Sequence, residues 1–124
     1  SSANSLRLPT TLVDGSVTNS GVWSALDPAT GALIWQTANP TPFTPAGGAA
    51  SSANGVVFVC SLDDVGHMYA LDGATGAIIW RFASGGSCNS GAAIAGGEVY
   101  WGSGYTALGP PYTSNHLFHA FKLP

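Results

Sequence analysis

Few residues in this 124-residue sequence combine type and spacing in a way that could do chemistry. Asp63 and Asp64 put two adjacent carboxylates into one polar stretch, the donor type that a hard divalent cation takes. A single pair without further oxygen ligands at fixed spacing reads instead as a solvated turn. His67, His116 and His119 lack the spacing of a zinc site, and His67 falls at a strand start, where exposure is the expectation. Trp101 can stack its ring on a planar group, and Asn89, Ser103 and Tyr105 can hydrogen-bond a cofactor or a substrate hydroxyl. Each has a plainer alternative, packing for Trp101 and satisfaction of local backbone for the other three. No Cys-x-x-Cys-His for haem attachment and no adjacent Cys-Cys pair occurs.

Composition says what kind of elements must position these groups. The chain is 45% apolar and only 7% charged, with 17 glycines, which suits one all-β domain with many tight turns. A net charge of −3 and singly scattered Arg7, Arg81 and Lys122 leave no basic patch for nucleic acid. No apolar run approaches the roughly 20 residues a membrane-spanning helix needs. No signal peptide is present, so the chain is either mature or lacks its start. Few lysines among abundant Ser, Thr, Gly and Asn suit a secreted protein, extracellular or periplasmic.

The organising feature is an internal repeat. Ala70 to Trp80 repeats Ala25 to Trp35, and the two copies differ only at Pro28/Gly73 and Leu33/Ile78. Each copy reads as a hairpin: a strand, a turn in which Asp27 or Asp72 accepts backbone N–H bonds, a glycine (Gly31 or Gly76) free to take positive φ, and a second strand ending in Trp35 or Trp80. A period in the forties made of short β-prone runs and glycine turns predicts four-stranded propeller blades.

Taken in order, Ser1 to Asn19 is polar apart from the fragments Leu6–Leu8 and Thr11–Val13, with a turn at Asp14-Gly15. Residues 22–37 then give the two outer strands of one blade, 45–82 a complete blade, and 90–123 three strands of the next. That is about two and a quarter blades of one larger propeller domain. Asn39 to Pro45 is a connector, because its prolines cannot sit in a central strand. Thr106 to Ser114 is a loop expected to carry about five residues more than its counterpart. Cys60 ends one strand and Cys88 precedes the first strand of the following blade, on the same face. They form a disulfide unless the splay of neighbouring blades takes their Cα atoms beyond roughly 7 Å. Trp80 is expected to be buried and structural, and Trp35 to matter less where its neighbouring blade is incomplete.

The pattern Ala-x-Asp-x-x-x-Gly-x-x-x-Trp, carried by Ala25, Asp27, Gly31 and Trp35 and by Ala70, Asp72, Gly76 and Trp80, resembles the tryptophan-docking repeat of quinoprotein (pyrroloquinoline quinone, PQQ) dehydrogenases. Val56–Ser61, Gly85–Gly91 and Tyr100–Tyr105 further resemble the C-terminal blades of the polyvinyl alcohol dehydrogenase-like branch. The resemblance implies an eight-bladed propeller holding PQQ and calcium in a central funnel and oxidising alcohols, with an Asp or Glu as base. It makes Trp101, Asn89, Ser103 and Tyr105 candidates for the funnel wall and assigns no catalytic or metal-binding residue in this chain. Implied partners are the remaining blades or further copies of the chain, and a small or polymeric alcohol or a carbohydrate as ligand. The alternative is a non-catalytic propeller module that binds carbohydrate or protein or acts as a scaffold, since fold does not fix function. Pro124 is expected near a true C-terminus, Ser1 at a cut made in mid-blade, and Trp35 and Val22–Leu26 on an open face that seeks a partner.

Overall fold

The structure is a computed structural model that describes residues 8–122 together with the strand Ser2–Ala3. It is all-β, and among the described residues no helix is long and apolar enough to cross a membrane. The strands are β1 (Ser2–Ala3), β2 (Thr10–Thr11), β3 (Val17–Thr18), β4 (Val22–Leu26), β5 (Leu33–Ala38), β6 (Ser51–Ala53), β7 (Val56–Cys60), β8 (His67–Asp72), β9 (Ile78–Ala83), β10 (Ala93–Ala95), β11 (Glu98–Gly102) and β12 (Phe118–Lys122).

Beside the two-stranded pair β2-β3, three larger antiparallel sheets follow one another along the chain. Their strand orders are β1-β4-β5, β6-β7-β8-β9 and β10-β11-β12. This is the architecture of a partial propeller. The first sheet holds one strand more than the two outer ones the sequence suggests, because Ser2 and Ala3 pair with Trp23 and Val22. The polar stretch before it is also more ordered than its composition implies. Thr10–Thr11 pairs with Val17–Thr18, and Asp14 closes the turn by accepting from the backbone and hydroxyl of Ser16. Leu6, in one of the expected apolar fragments, lies outside the described residues.

The repeat is visible in register as well as sequence. β4 pairs with β5, and β8 with β9, through a shift at the same place, Ala25/Leu26 and Ala70/Leu71. In the first turn Asp27 accepts from the amides of Ala29 and Thr30, and in the second Asp72 accepts from Ala74, Thr75 and the Thr75 hydroxyl. Gly31 and Gly76 follow at φ 73° and 76°, a region that costs a residue with a Cβ.

Strand alternation sends successive side chains to opposite faces, and this builds two cores. Trp23 and Trp35 of the first sheet pack on Val59, Tyr69 and Leu71 of the second. Cys60 and Met68, on the second sheet's other face, pack with Cys88, Ala92 and Trp101 of the third.

The tryptophan expectation is corrected here. Trp35 is the docked indole, 7% exposed, and its Nε1–H donates to the Gly73 carbonyl of the second sheet at 2.9 Å. Trp80 keeps 37% of its surface exposed and meets Phe121 edge-on. Each repeat tryptophan reaches forward to the sheet that follows, so Trp35 meets a complete one. The position after β12 that matches Gly73 lies beyond Lys122, outside the described residues.

Candidate functional site

At one end of the strands the inter-sheet connections 39–50 and 84–92 converge with the loops 61–66 and 103–117. Leu62 N–H donates to Pro45 O, Cys88 N–H to Ser61 O, and Ser87 N–H to Thr113 O. The loop 103–117 exceeds its counterpart 61–66 by more than the five residues expected. The excess folds back across the connection 84–92, where Asn115 Nδ2 donates to Ser84 O at 2.8 Å.

A concavity of about 270 Å³ opens at this end, lined by Ser87, Asn89, Ser90, Ser103 and Tyr105 with Gly102 and Gly104. The structure therefore brings together three of the four candidates, Asn89, Ser103 and Tyr105. Trp101 is not with them. Its indole is 1% exposed, packs among Cys60, Met68 and Cys88, and donates to Ser90 O at 2.9 Å. The reason is parity: Trp101 occupies on β11 the position of Val59 on β7, and both point back toward the preceding sheet. The serines are committed internally. Ser90 Oγ–H donates to Gly102 O, and Ser103 Oγ–H to Asn115 Oδ1.

Beneath the concavity Cys60 and Cys88 are joined as a disulfide with Cα atoms 5.7 Å apart. Both are buried, so the bridge ties the second sheet to the start of the third.

The carboxylate pair divides. Asp64 is exposed, but Asp63 is not the solvated turn residue its sequence context suggests: its side chain is 2% exposed. Oδ1 accepts from the amides of Gly66 and His67, and Oδ2 from the Thr41 hydroxyl at 3.0 Å. Oδ2 also meets His67 Nδ1 at 2.9 Å. Burial pushes the Asp63 carboxyl up, but the Ser61 hydroxyl, the bond and charge of His67 and the Thr41 hydroxyl outweigh it and hold it below its ordinary value. His67 is likewise half-buried rather than exposed, stacked on Tyr69. Burial, with the charge of Asp63, pushes the Tyr69 hydroxyl up to about 12. His116 is exposed, and His119 joins the aromatic group of Phe82 and Phe121. The sequence offered one signal for Asp63, namely an Asp three residues before a glycine that must turn.

A second cleft of about 360 Å³ lies between the first two sheets, against Trp23, Trp35 and Val57, and no titratable side chain lines it. Among the described residues no cluster of three His, Cys, Asp or Glu could hold a metal. PQQ is a planar tricarboxylate, and its binding calls for cations and a flat aromatic surface. The residues around the concavity are neutral, and Tyr105 is the one aromatic among them. These residues do not by themselves fit PQQ with calcium.

Comparison with known proteins agrees with the architecture. No curated protein sequence matches the chain. BamB from Moraxella catarrhalis superposes with a TM-score of 0.55 at 26% identity, over 69% of this chain and 30% of that one. The quinohemoprotein alcohol dehydrogenase from Comamonas testosteroni superposes with a TM-score of 0.65 at 24% identity, over 98% of this chain and 21% of that one, which shows a shared fold. The chain thus spans less than a third of either relative. The profile of a PQQ-repeat family described as outer membrane protein assembly factor BamB matches residues 18–108. With its repeats, register and docked Trp35 in that range, the chain belongs to this PQQ-repeat β-propeller family.

Proposed function

We propose that the chain supplies wall and rim to an alcohol-oxidising quinoprotein propeller of the polyvinyl alcohol dehydrogenase-like branch. In this reading 22–37, 45–82 and 90–123 belong to successive blades of one domain. The observation that carries the proposal is the neutral concavity at the loop end. Its serines are tied to backbone and to Asn115, which leaves the Asn89 amide and the Tyr105 hydroxyl to a hydroxyl-bearing ligand. A wall without charge suits an uncharged alcohol better than an acid or an amine, since a buried charge needs a partner. PQQ, calcium and the carboxylate base would be held by other blades, and the quinone would supply the two-electron oxidation. The disulfide supports an oxidising compartment, periplasmic or extracellular.

The test is dye-linked oxidation by the full-length protein with PQQ and calcium, using a secondary-alcohol polymer and a simple secondary alcohol. Quinone-dependent turnover is expected, with Asn89→Ala and Tyr105→Phe raising KM. Absence of turnover on either alcohol overturns the reading. A second reading, a non-catalytic module that docks a protein, is favoured by the BamB family match. It predicts no turnover.

A further inference from the structure

The loop around Asp63 and the wall of the concavity form one hydrogen-bonded body, although they come from different sheets. The Asp63 carbonyl accepts from Ser87 Oγ at 2.8 Å, and Ser87 Oγ in turn accepts from Thr113 N–H at 2.9 Å. The Ser87 carbonyl accepts from both Gly104 and Tyr105 N–H at 2.9 Å. Ser87 is fully buried, so these bonds face no competition from water. One buried serine therefore reads the position of loop 61–66 through its hydroxyl and sets the backbone of Gly104-Tyr105 through its carbonyl.

What fixes loop 61–66 is the Asp63 carboxylate. It gathers two amides of its own loop, the Thr41 hydroxyl from the preceding connection and the His67 ring. We infer that Asp63 is the positioning residue of the concavity, holding the Ser87–Tyr105 wall in place from the neighbouring sheet. The inference rests on the reading of that concavity as a ligand site. Asp63 itself touches no ligand there; it acts through Ser87.

Asp63→Asn keeps size and one acceptor but loses acceptance from Thr41 and His67 at the second oxygen. Ser87→Ala leaves the carboxylate intact and cuts the link to it. Amide hydrogen exchange on the full-length protein separates local from global loosening. In both variants the Gly104 and Tyr105 amides should exchange faster by about tenfold or more, while the β8 amides from Met68 onward keep their rates. Unchanged Gly104 and Tyr105, or all amides accelerating together, overturns the inference. Ser87→Ala without local acceleration does so too, even where Asp63→Asn fails to fold. If the full-length enzyme turns over an alcohol, Asp63→Asn should raise KM more than it lowers kcat. Absent turnover with the local acceleration intact would sink the proposed activity and leave the positioning role standing.

Discussion

At the scale of single residues, direction mattered more than identity. Trp35 and Trp80 occupy the same place in the repeat, yet one is buried and the other half-exposed, because each docks forward on the next sheet. Sequence identity between the copies carries no arrow, so the repeat alone could not say which tryptophan finds a finished neighbour. Trp35→Ala should destabilise by about 3–5 kcal/mol, the range for truncating a buried large aromatic. Trp80→Ala should cost about 1–2 kcal/mol, as its site is partly open. Urea unfolding of the two variants checks the order, and a costlier Trp80 substitution would contradict the docking direction. The burial of Asp63 is hidden from its local sequence for a related reason: beyond the nearby Gly66 and His67 amides, Thr41 and Ser87 reach it from more than twenty residues away. Its carboxyl lies below the ordinary value in the fold, so its contribution is fully present above the unfolded value of 3.8 and is lost as pH falls through the folded one. Acid unfolding of Asp63→Asn should accordingly be less steep below about pH 4. It should not become flat, because Asp14, Asp27 and Asp72 are shifted the same way by hydrogen bonds in their turns. An unchanged acid limb would show that Asp63 is ionised to the same extent folded and unfolded.

At the scale of elements the sequence was most legible where geometry is local. The Asp-to-Gly turns, the strand β7 and the hairpin strands follow from side-chain type within a few residues. The short strand β1 was not legible, because its pairing partner β4 is distant in sequence. Of the hairpin β2–β3 only the turn at Asp14-Gly15 and the fragment at Thr11 were, because strands of two residues carry too little pattern to read. Gly31 and Gly76 allow the two turns to be compared. Both have positive φ, but a Cβ on Gly31 would meet open space, whereas on Gly76 it would stand 2.6 Å from the Trp35 ring. Gly31→Ala should therefore cost about 1 kcal/mol from backbone strain alone. Gly76→Ala should cost about 1–3 kcal/mol more, the usual effect of overpacking, with a change in Trp35 fluorescence. Equal costs would mean that the indole yields freely. The disulfide is a second inter-sheet tie. Replacing Cys60 and Cys88 together with alanine opens a loop of sequence separation 28 and should lower stability by about 3–4 kcal/mol on the chain-entropy argument. Thermal melts of the oxidised protein and the double variant measure it.

At the scale of the whole molecule the two outward faces differ, and not as composition suggested. Trp35 and the strand β4 were expected on an open side, but Trp23, Ala25 and Trp35 already pack on the second sheet. The first sheet's other face carries Ser24 and Gln36, and Gln36 Oε1 accepts from Val13 N–H of the segment leading out of β2. That side is partly covered and mixed, with Ile34 exposed beside the polar pair. On the third sheet Val99, Trp101 and Phe121 turn inward, and alternation sends Tyr100, Phe118 and Ala120 outward. Tyr100 and Phe118 stack there, and Phe118 is 71% exposed. Beside the Glu98–Lys122 pair on the same face, these aromatics leave apolar surface open to water, of the kind that another blade would cover. The 124-residue chain on its own should therefore associate through this face, with a mass that rises above 12.5 kDa as concentration increases. Phe118→Lys, which puts a charge beside Tyr100 on that face, should return it toward monomer, whereas Ile34→Lys on the first sheet should not. Light scattering after gel filtration reads all three. A 12.5 kDa species at every micromolar concentration, or equal effects of the two substitutions, would show that the third sheet's face is not the one that seeks a neighbour.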